Sequence, residues 1–510
     1  MKILTVKQIR EADAFTIKNE PVKSIDLMER ASLAASEWIF KKFGTEKPVV
    51  VFAGRGNNGG DGLAIARILS GKGYKVRVLL LSPGSGLSED ASINLARLEE
   101  AGSVEINLLK EEDSLPEAGG NEIILDALFG SGLTRPIEGK ALEVVRKINE
   151  SGATVISVDI PSGLFGEDNS SNDPGSIVKA DYTLSFQLPK LSFFFGENRI
   201  YTGCWEIIPI GLHPSYLEGA ETSYYYLDHG FFRGAVRKRE KFSHKGDYGH
   251  CLVISGSYGK TGAAVLAAKA CLRTGAGLVT VHTPSKGTEI IQVSVPESMA
   301  SIDSSPVVFS GVPGTETFSA VCAGPGIGTA GETQKALREL LKIWREPLVL
   351  DADALNILSM NREWFEELPS GSILTPHPGE FDRMAGKSGS GYERHLKQIE
   401  FSRKYGVYVV LKGAFTSVTS PDGECYFNSS GNPGMATGGS GDVLTGIIVS
   451  LLAQKYSPKM ASLLGVFIHG LSGDIAAGES SPESIIAGDI TENIGKAFKK
   501  LNLMNHEKTG

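Results

Sequence analysis

The sequence predicts an α/β protein with two three-layer domains, each built on a mostly parallel sheet with helices on both faces. Three observations favour this fold. Short apolar runs typical of buried strands alternate with amphipathic helical runs along most of the chain. A chain of 510 residues exceeds what one hydrophobic core organises. Many of the 61 glycines stand in clusters between a strand-like and a helix-like run, which is typical of loops that approach phosphate groups.

The first half of the chain opens with two predicted helices between residues 6 and 43 and then alternates strand and helix. Strands are predicted over 48–53, 74–81, 122–128 and 154–160. Because these strands are apolar, we expect a doubly wound parallel sheet covered on both faces. The rhythm stops over residues 211–230, which carry glycines, a proline and three consecutive tyrosines. We therefore predict domains over 1–218 and 224–510.

A second alternation of strand and helix begins at HCLVISGS, residues 250–257. It continues through strand-like runs in 277–283, 319–324, 346–353, 371–377 and 407–413, a hairpin around SPDGE, and helices after residue 439. The segment HGLSGD, residues 469–474, is interpreted as core packing of a late helix. No internal repeat relates the two halves, so they are expected to be separate modules.

Composition excludes several classes of function. The net charge of −8 argues against a broad nucleic-acid-binding surface, which needs a basic field. Five widely spaced cysteines without a CxxC pair indicate buried thiols in a reducing compartment. We find neither the apolar core of a signal peptide nor an apolar run of about 18 residues, so a cytoplasmic protein without a membrane span is expected.

The segment GRGNNGGDG, residues 54–62, lies between a predicted strand and a predicted helix. Its first six residues satisfy the G-x-G-x-x-G pattern of dinucleotide-binding Rossmann-like domains, which is a weak signal when it stands alone. A dehydrogenase would also carry an acidic residue at the end of the second strand, and LLLSPGSG has none. The pattern therefore favours an anion-binding helix N-terminus, with a plain strand–helix turn as the alternative.

Two carboxylates stand at the ends of other strands of the same predicted sheet. Asp126 opens DALFGSGLTRPIEG, and Asp159 stands in VDIPSG with Ser162. Because ligands of open α/β sheets bind beyond the carboxyl ends of the strands, we expect these side chains to converge near Asn58. Oxygen ligands without His or Cys suit a hard cation. The alternative is that such acids only cap helices, which is plausible for Asp159 taken alone.

In this order, GxGNNGGDG, DALFGSGLxRPxxG and VDIPSG resemble the NAD(P)H-hydrate epimerase family over roughly residues 1–215, together with LMERA and ADYTLSFQLPK. The resemblance implies a potassium ion held by Asn58, Asp126 and Ser162. It leaves Asp159 or Asp126 as the acid–base residue, and we favour Asp159 because a carboxylate committed to a cation is a poorer base. The implied substrate contacts are Asn57, Asn58, Gly59, Gly60, Asp61, Gly130, Ser131, Gly132, Leu133, Thr134, Arg135, Pro136 and Asp159.

In the second half, the richest segment is NPGMATGGSGDVLTG, residues 432–446. Four small residues lead into an apolar helix, whose free N–H groups and dipole predict an anion hole. Asp442 directly behind the hole could accept a proton from a hydroxyl that attacks a phosphoryl group, or it could merely cap the helix. Further candidates stand at strand ends: Asp351, Asp353, His377, Glu380, Lys412 and the glycine loop 323–328. SGSYGKTG lacks the first glycine of a P-loop, so Lys260 is not predicted to be a P-loop lysine.

Over roughly residues 230–505 these blocks resemble the ribokinase-like fold and, within it, the ADP-dependent NAD(P)H-hydrate dehydratases. The blocks are HKGDYGHCLVISGSYGKTGAA, RTGAGLVTV, VPESM, GPGIG, DADALN, TPHPGEF, KGAF and GMATGGSGD, with Ser440 where Thr is common. The implied hydrate contacts are Ala263, Gly326, His377, Pro378, Gly379, Glu380, Phe381, Asp382, Arg383 and Asp442. The implied nucleotide contacts are Lys412, Gly413, Ala414, Phe415, Thr416, Asn432, Pro433, Gly434, Met435, Ala436, Thr437, Gly438, Gly439, Ser440 and Gly441.

The two resemblances together predict a bifunctional repair enzyme for hydrated NADH and NADPH (NADHX and NADPHX). One module would interconvert the R and S hydrates. The other would dehydrate the S hydrate at the expense of ADP, giving AMP and phosphate, with Asp442 as catalytic base and magnesium held by the phosphates and by Glu380 or Asp351. A homo-oligomer is expected. The alternatives are a vitamin or sugar kinase of the same fold, which would not carry the first module, and a non-catalytic NAD sensor.

Overall fold

The computed structural model describes residues 1–81, 86–116 and 119–503. These residues form two compact units. The first contains Lys2–Thr222 with Ser390–Tyr392, and the second contains Met1, Ser223–Gly389 and the chain from Glu393 onward. The division after Thr222 falls inside the segment 211–230, where the strand–helix rhythm of the sequence stops.

The first unit begins with two helices and continues as alternating strands and helices. Its helices are α1 (Val6–Asn19), α2 (Ser24–Lys42), α3 (Asn57–Gly71), α4 (Glu89–Ala101), α5 (Gly139–Glu150), α6 (Arg199–Thr202) and α7 (Pro214–Gly219). Its strands are β1 (Val49–Ala53), β2 (Val76–Leu81), β3 (Glu105–Leu109), β4 (Ile123–Ala127), β5 (Thr154–Val158), β6 (Tyr182–Phe186) and β7 (Cys204–Ile208). The two N-terminal helices and the four strands predicted from the sequence are confirmed.

The seven strands form one parallel sheet in the order β3-β2-β1-β4-β5-β6-β7. Separate hydrophobic cores cover its two faces, one including α2 and the other α5, so the predicted doubly wound α/β architecture is confirmed. The order reverses between β1 and β4, which is where open α/β sheets bind ligands. The sequence analysis did not identify β3, β6 or β7; β3 is an edge strand with mostly exposed or half-buried residues, which weakens its apolar signal.

The second unit repeats the α/β class with a larger sheet. Its strands are β8 (Tyr224–Leu227), β9 (His250–Ile254), β10 (Leu278–Pro284), β11 (Met299–Asp303), β12 (Ala320–Ala323), β13 (Leu348–Leu350), β14 (Ile373–Leu374), β15 (Tyr408–Leu411), β16 (Ser417–Thr419) and β17 (Cys425–Asn428). Its helices are α8 (Thr261–Thr274), α9 (Thr288–Ser294), α10 (Gly331–Ile343), α11 (Asp353–Met360), α12 (Pro378–Ala385), α13 (Gly391–Tyr405), α14 (Ser440–Ala453), α15 (Pro458–Glu479) and α16 (Ala487–Leu503).

The ten strands lie in the order β11-β10-β9-β12-β13-β14-β15-β16-β17-β8, and only β16 runs antiparallel to its neighbours. One core includes α8, α14, α15 and α16, and the other includes α10 and α11, which completes three layers. The hairpin predicted around SPDGE is confirmed as β16 and β17. The tyrosine run, predicted to be irregular, is instead strand β8, which pairs with β17 at the sheet edge.

Two composition-based expectations need correction. Cys204 is exposed, whereas the other four cysteines are buried, and all five are free thiols. In the described part of the chain one helix, α15, is long and apolar enough by length and composition to cross a membrane, with a mean hydropathy of 1.4. Because most of α15 is buried within the protein, it has the burial of a core helix. Counting uninterrupted apolar residues missed it because small and polar residues interrupt the run.

Candidate active sites of the two domains

The glycine motif of the first unit lies at the reversal point of the sheet, between the ends of β1 and β4. The Gly54 N–H donates to Ala127 O at 2.9 Å, and a Cβ on Gly54 would meet Leu128 O at 1.7 Å. Only glycine therefore fits where these two strands end. The sequence analysis placed Asn57 to Asp61 in a loop between strand and helix. In the structure helix α3 begins at Asn57, so these residues form the start of the helix. The argument against a dehydrogenase relied on the absence of an acidic residue at the end of the second strand. That segment includes residues 82–85, which lie outside the described residues.

Asp126, at the end of β4, is fully buried and accepts four hydrogen bonds. The donors are Ser157 Oγ at 2.7 Å, Ser162 N at 2.9 Å, Ser162 Oγ at 2.5 Å and Leu128 N at 3.4 Å. Burial raises the pKa of this carboxyl, although the hydrogen bonds oppose the shift. The structure thus brings together Asp126 and Ser162, two of the three residues predicted to bind a cation.

The third predicted cation ligand, Asn58, is buried beside the chain at Gly130, where a Cβ would lie 3.4 Å from Asn58 Cβ. Neither polar atom of the Asn58 side chain has a hydrogen-bond partner. Buried amides are normally satisfied, so an orphaned carboxamide oxygen indicates a missing ligand. An oxygen set from Asn58, Asp126 and Ser162 fits a hard monovalent cation. The described residues contain no group of three or more His, Cys, Asp or Glu side chains that could hold a metal.

Asp159 lies just beyond β5, with a positive φ of 66° that is unusual for a residue other than glycine. Its Oδ1 accepts a hydrogen bond from Lys190 Nζ at 2.5 Å and from the Phe186 N–H at 3.2 Å. Lys190 is almost fully buried, and its Nζ also donates to Ser185 Oγ at 3.1 Å. No helix begins at the residues that follow Asp159, so the helix-capping alternative for Asp159 is wrong. Lys190 was not singled out from the sequence, although it ends the segment ADYTLSFQLPK.

Two more carboxyl groups share the electrostatic surroundings of Asp159. Burial, and next the charge of Asp159, raise the pKa of Asp61 well above its usual range. The same two causes raise the pKa of Asp13, on α1, to about 6, with Lys190 opposing them. Burial is the main cause of both shifts, and the neighbouring Asp159 carboxyl adds to it. The sequence analysis missed Asp13, which lies 146 residues from Asp159 in the chain.

The predicted substrate segment Gly130 to Pro136 follows β4, and part of it lines an open cavity. The cavity has a volume of about 660 Å³ and is lined by Ser131–Thr134 and by residues of α1, including Arg10. A Cβ on Gly132 would lie 2.1 Å from Arg10 Nη2, so the guanidinium rests against this segment. The cavity is large enough for part of a dinucleotide. The Arg10 guanidinium in its wall is suited to bind the phosphates of such a ligand.

In the second unit the strand order reverses between β9 and β12, and the loops after these strands are tied together. Ser255 Oγ and the Gly256 N–H both donate to Pro325 O, at 2.6 and 2.8 Å. Gly326 has a φ of 67°, and a Cβ there would approach Ala263 Cβ to 3.2 Å. The predicted hydrate contacts Ala263 and Gly326 therefore meet at the reversal point, where ligands of such sheets bind.

Asp442 stands in the first turn of α14, whose N-cap Gly439 has a φ of 90°. A Cβ on Gly441 would lie 3.4 Å from Lys412 Nζ and 3.6 Å from Asp351 Oδ2, so the start of α14 lies against that ion pair. Burial, and next repulsion by Asp351, raise the pKa of Asp442 to about 6, with Lys412 opposing. A carboxylate with this pKa is ionised at pH 7 and is still basic enough to accept a proton.

Lys412 and Asp351 form the ion pair at the ends of β15 and β13. Lys412 Nζ is 2.8 Å from Asp351 Oδ1, and Thr445 Oγ1 donates to Asp351 Oδ2 at 2.8 Å. Burial disfavours the ammonium, yet Asp351 and then Glu380 raise the pKa of Lys412, which keeps it charged. Asp351 is paired directly with Lys412, whereas Glu380 Oε2 lies 4.0 Å from the same nitrogen, so Glu380 keeps more of its negative charge for a metal ion. Of the two carboxylates expected to hold magnesium, Glu380 therefore fits better.

His377 caps helix α12 rather than standing free as a ligand. Its Nδ1 accepts from the N–H groups of Gly379 and Glu380, and Glu380 Oε2 accepts from the His377 N–H at 2.8 Å. Two residues of the predicted hydrate segment have structural partners. Phe381 is fully buried against Phe401, and Asp382 is paired with Arg394 at 2.9 Å. Phe381 is therefore part of the core, and Asp382 belongs to a structural ion pair. The predicted hydrate contacts are reduced by these two residues.

Asp353 links three segments of the same edge. Its Oδ2 accepts from the Gly328 N–H at 2.8 Å and lies 3.3 Å from Lys260 Nζ. It follows Ala352, whose φ is 50°, a strained conformation of the kind found at functional sites. On the same helix, α11, Asn356 Oδ1 accepts from Arg383 Nη2 at 2.7 Å. The glycine loop, α11 and α12 are thus fixed to one another beside Asp442.

The late helix α15 contacts the predicted nucleotide segment. Core packing of HGLSGD is confirmed for Gly470 to Gly473, which are buried. The first and last residues of HGLSGD also contact the nucleotide segment. His469 Nε2 is 2.9 Å from Ser440 O, and Asp474 accepts hydrogen bonds from Gly431 and Asn432. The sequence analysis assigned both residues to core packing, because their helical periodicity is that of an ordinary core helix, and so missed these contacts.

Similarity to known proteins covers both units. A family model described as NAD(P)H-hydrate dehydratase matches residues 251–496, which confirms the predicted type of the second domain, and one described as YjeF-related protein N-terminus matches 24–192. A solved structure, the ADP/ATP-dependent NAD(P)H-hydrate dehydratase from Bacillus subtilis co-crystallized with ATP/Mg2+, is 29% identical. It covers 54% of this chain and 98% of its own, with a TM-score of 0.47.

Relatives match the whole chain, across both units. The bifunctional NAD(P)H-hydrate repair enzyme Nnr of Moorella thermoacetica is 34% identical, with 98% of this chain and 97% of the relative covered. The enzyme of the same name from Escherichia coli is 32% identical over 95% of this chain and 92% of the relative. Full-length similarity at this level, with both family models in the expected order, shows the family. The chain belongs to the bifunctional NAD(P)H-hydrate repair enzymes.

Proposed function

We propose that the second unit uses ADP to dehydrate the S hydrate of NADH or NADPH, and that the first unit interconverts the R and S hydrates without a nucleotide. The observation that carries the proposal is the position of Asp442. It combines a pKa of about 6 with a helix N-terminus at Gly439–Gly441 and a charged lysine, Lys412, nearby. A phosphoryl-transfer site needs these parts: a base, an anion hole and a cation.

The hydrate carries a hydroxyl beside the ring nitrogen, and hydroxide is a poor leaving group. Asp442 would accept the proton of this hydroxyl as its oxygen attacks the β-phosphorus of ADP, and the bond to the bridging oxygen breaks to release AMP. The nitrogen lone pair would then expel phosphate to give an iminium ion, and loss of a proton from the adjacent ring carbon, which the departing phosphate can accept, would restore the dihydropyridine ring. Magnesium would neutralise nucleotide charge, with Glu380 as the protein group best placed to hold it.

The anion hole would come from the start of α14. In the described chain the Ser440 N–H donates to Thr437 O, whereas the amides of Gly441 and Asp442 meet no protein acceptor. We propose that these amides and Lys412 receive the transferred phosphoryl group. The adjoining segments, Lys412 to Thr416 and Asn432 to Gly441, would hold the rest of the nucleotide. The hydrate would lie towards Ala263, Gly326, Gly379, Glu380 and Arg383.

For the first unit we propose Asp159 as the acid–base residue and Asn58, Asp126 and Ser162 as potassium ligands. The support for Asp159 is its exposure, 17% of the side chain, whereas Asp126 is fully buried and satisfied by four donors. Lys190 Nζ pairs with Asp159 Oδ1 and would orient its carboxylate. The hydrate would lie along the first turn of α3, Asn57 to Asp61, and along Gly130 to Pro136, with its phosphates near Arg10.

The dehydratase assignment is tested by Asp442→Asn, which removes the base and keeps the shape of the helix start. We expect NADH recovery from the S hydrate, followed at 340 nm with ADP and magnesium, to fall ~10²–10⁴-fold. ADP binding, measured by calorimetry, should stay within about threefold of the unmodified enzyme. A variant that keeps more than a tenth of the original turnover contradicts the role of Asp442.

We further propose that the two domains fold and act separately, over 1–218 and 224–510 as the sequence predicts. A cut after Thr222 is the better experiment, because the Ser223 carbonyl accepts from the Cys425 N–H at 2.7 Å and belongs to the second sheet. The first fragment should interconvert the epimers without ADP, and the second should dehydrate one epimer alone. The homo-oligomer and the cytoplasmic location stay predictions.

A further inference from the structure

Helix α15 presents one face to the strap, the segment Ser430–Met435 that precedes the glycine turn before α14. We propose that Asp474, on this face, is a positioning residue that holds the strap in its nucleotide-binding shape and thereby sets the affinity for ADP. The inference rests on the proposed nucleotide site and extends it to a helix that no predicted contact includes.

The Asp474 carboxylate receives two donors from consecutive strap residues. Its Oδ2 accepts from the Gly431 N–H at 2.9 Å, and its Oδ1 accepts from Asn432 Nδ2 at 3.0 Å. These bonds orient the Asn432 side chain, whose Oδ1 then accepts from the Gly434 N–H at 3.0 Å. One carboxylate therefore fixes both the backbone of the strap and the side chain that caps its turn. Hydrogen bonds to a charged group are roughly twice as strong as neutral ones.

Glycines on the same face of α15 let the strap approach the helix closely. A Cβ on Gly470 would lie 2.3 Å from Ser430 Oγ, and a Cβ on Gly473 would lie 2.3 Å from Met435 Sδ. Ser430 Oγ also donates to the Phe467 carbonyl of α15 at 2.8 Å. This face of α15 thus has no side chain at Gly470 and Gly473 and one carboxylate, Asp474, that binds the strap. A side chain added at either glycine would displace the strap.

The same helix also fixes the far end of the glycine turn. His469 Nε2 is 2.9 Å from Ser440 O, and because a carbonyl only accepts, this nitrogen carries the proton. Burial is the first cause that lowers the pKa of His469 to about 4, so the ring is neutral at pH 7. Consequently α15 holds both ends of the segment between Ser430 and Ser440, whose middle is half-exposed and open to a ligand.

A tethered strap lowers the cost of ordering the chain when the nucleotide binds. Asp474 lies on α15, whereas Asp442 lies on α14, so loosening the strap should weaken ADP binding and leave the base in place. The expected signature is a change in the KM and Kd for ADP without a comparable change in kcat.

The test uses the full-length enzyme with two independent changes. Asp474→Asn keeps the size of the side chain, but its single oxygen cannot satisfy both donors. Gly473→Ala keeps every charge and pushes Met435 away. We expect each to raise the Kd for ADP, measured by calorimetry, and its KM by about 10- to 100-fold. The kcat at saturating ADP, with the S hydrate as substrate, should stay within about threefold.

Two matched controls lie on the same helix. A Cβ on exposed Gly478 meets nothing within 4 Å, so Gly478→Ala should leave ADP affinity unchanged. Ser457→Ala removes the N-cap bond to Met460 N at the far end of α15, which lowers Tm without touching the strap. If Ser457→Ala weakens ADP binding as much as Asp474→Asn, the effect is general loss of helix stability and the inference is wrong.

The inference is also wrong if Asp474→Asn and Gly473→Ala both bind ADP with the affinity of the unmodified enzyme, or if kcat falls while the Kd is unchanged. Failure of the proposed function gives a different pattern. In that case the unmodified enzyme neither binds ADP nor needs it, or Asp442→Asn keeps its activity, whatever the strap variants do.

Discussion

The two candidate active sites lie at equivalent positions in their folds. They differ in which carboxylate the nearby lysine pairs with. Both lie where a parallel sheet reverses its strand order, beside a glycine-rich turn at a helix N-terminus. In the first site Asp159 is paired directly with buried Lys190. In the second site Lys412 is paired with Asp351, and Asp442 stands beside that pair with a raised pKa. In the first site the lysine pairs with the proposed base itself, whereas in the second site it pairs with a different carboxylate and the proposed base stands beside that pair.

This difference matches what the two reactions require. Interconverting epimers transfers protons and leaves the substrate with the charge it had before. Phosphoryl transfer brings a charged nucleotide to a hydroxyl, so the site needs separate groups for the proton and for the phosphate charge. In the proposed mechanism Lys412 would supply the cation, while Asp442 would accept the proton. The comparison predicts that the two sites respond differently to equivalent mutations.

The largest effect in the first site is expected from Asp159→Asn. The amide has the same shape, yet it cannot accept a proton, and it leaves Lys190 buried without an anion. We predict a fall in epimerisation of ~10²–10⁴-fold, measured by chromatographic separation of the R and S hydrates. ADP-dependent dehydration of the S hydrate should be unchanged. Asp126→Asn is the matched comparison, and a larger fall there would make Asp126 the acid–base residue instead.

A smaller effect, specific to potassium, is expected from Asn58→Ala. Because neither polar atom of Asn58 has a protein partner, the change breaks no hydrogen bond. We predict that epimerisation loses its activation by potassium, measured across a series of KCl concentrations at constant ionic strength, while Tm stays within a few degrees. Asp126→Ala, in contrast, leaves Ser157 and the Ser162 N–H without their buried acceptor and should lower Tm strongly. Unchanged activation by potassium in Asn58→Ala would place the cation elsewhere.

The smallest effect is expected in the pH dependence of stability at the second site. The pKa of Asp442 is about 6 in the folded protein, above its usual value of 3.8, so ionisation disfavours the folded state. That destabilisation is absent below about pH 3.8 and is complete above about pH 6. We therefore predict that Asp442→Asn raises Tm at pH 7.5 and not at pH 4, with kcat of the unmodified dehydratase falling below pH 6. A variant with a lower Tm at pH 7.5 would contradict the raised pKa.

Much of both sites could be predicted from the sequence because their residues stand in contiguous motifs at strand ends. Asn58, Asp126, Asp159, Lys412 and Asp442 each follow a strand or begin a helix, where the chain order of an α/β fold brings ligand contacts together. The family resemblance added the roles, which periodicity alone does not supply.

The residues that were missed support the sites from elsewhere in the chain. Lys190, Asp13, His469 and Asp474 reach their partners across 29 to 146 residues, and each lies in a segment whose local pattern is ordinary. The strands missed at the sheet edges, β3, β7, β8 and β11, have a related cause, since exposed or half-buried residues and, in β8, a tyrosine run mask the apolar signal. Local pattern identifies the reacting groups, and tertiary packing supplies the groups that orient them.

The most direct test of two independent sites is a mixing experiment with an epimeric mixture of hydrated NADH, ADP and magnesium. Asp159→Asn alone should restore 340 nm absorbance only for the share already present as the S hydrate and then slow to the spontaneous rate of epimerisation. Asp442→Asn alone should restore almost none. Mixed in equal amounts, the two variants should convert the whole sample. If Asp159→Asn alone converts both epimers at the rate of the unmodified enzyme, the first unit is not the epimerase and the account fails.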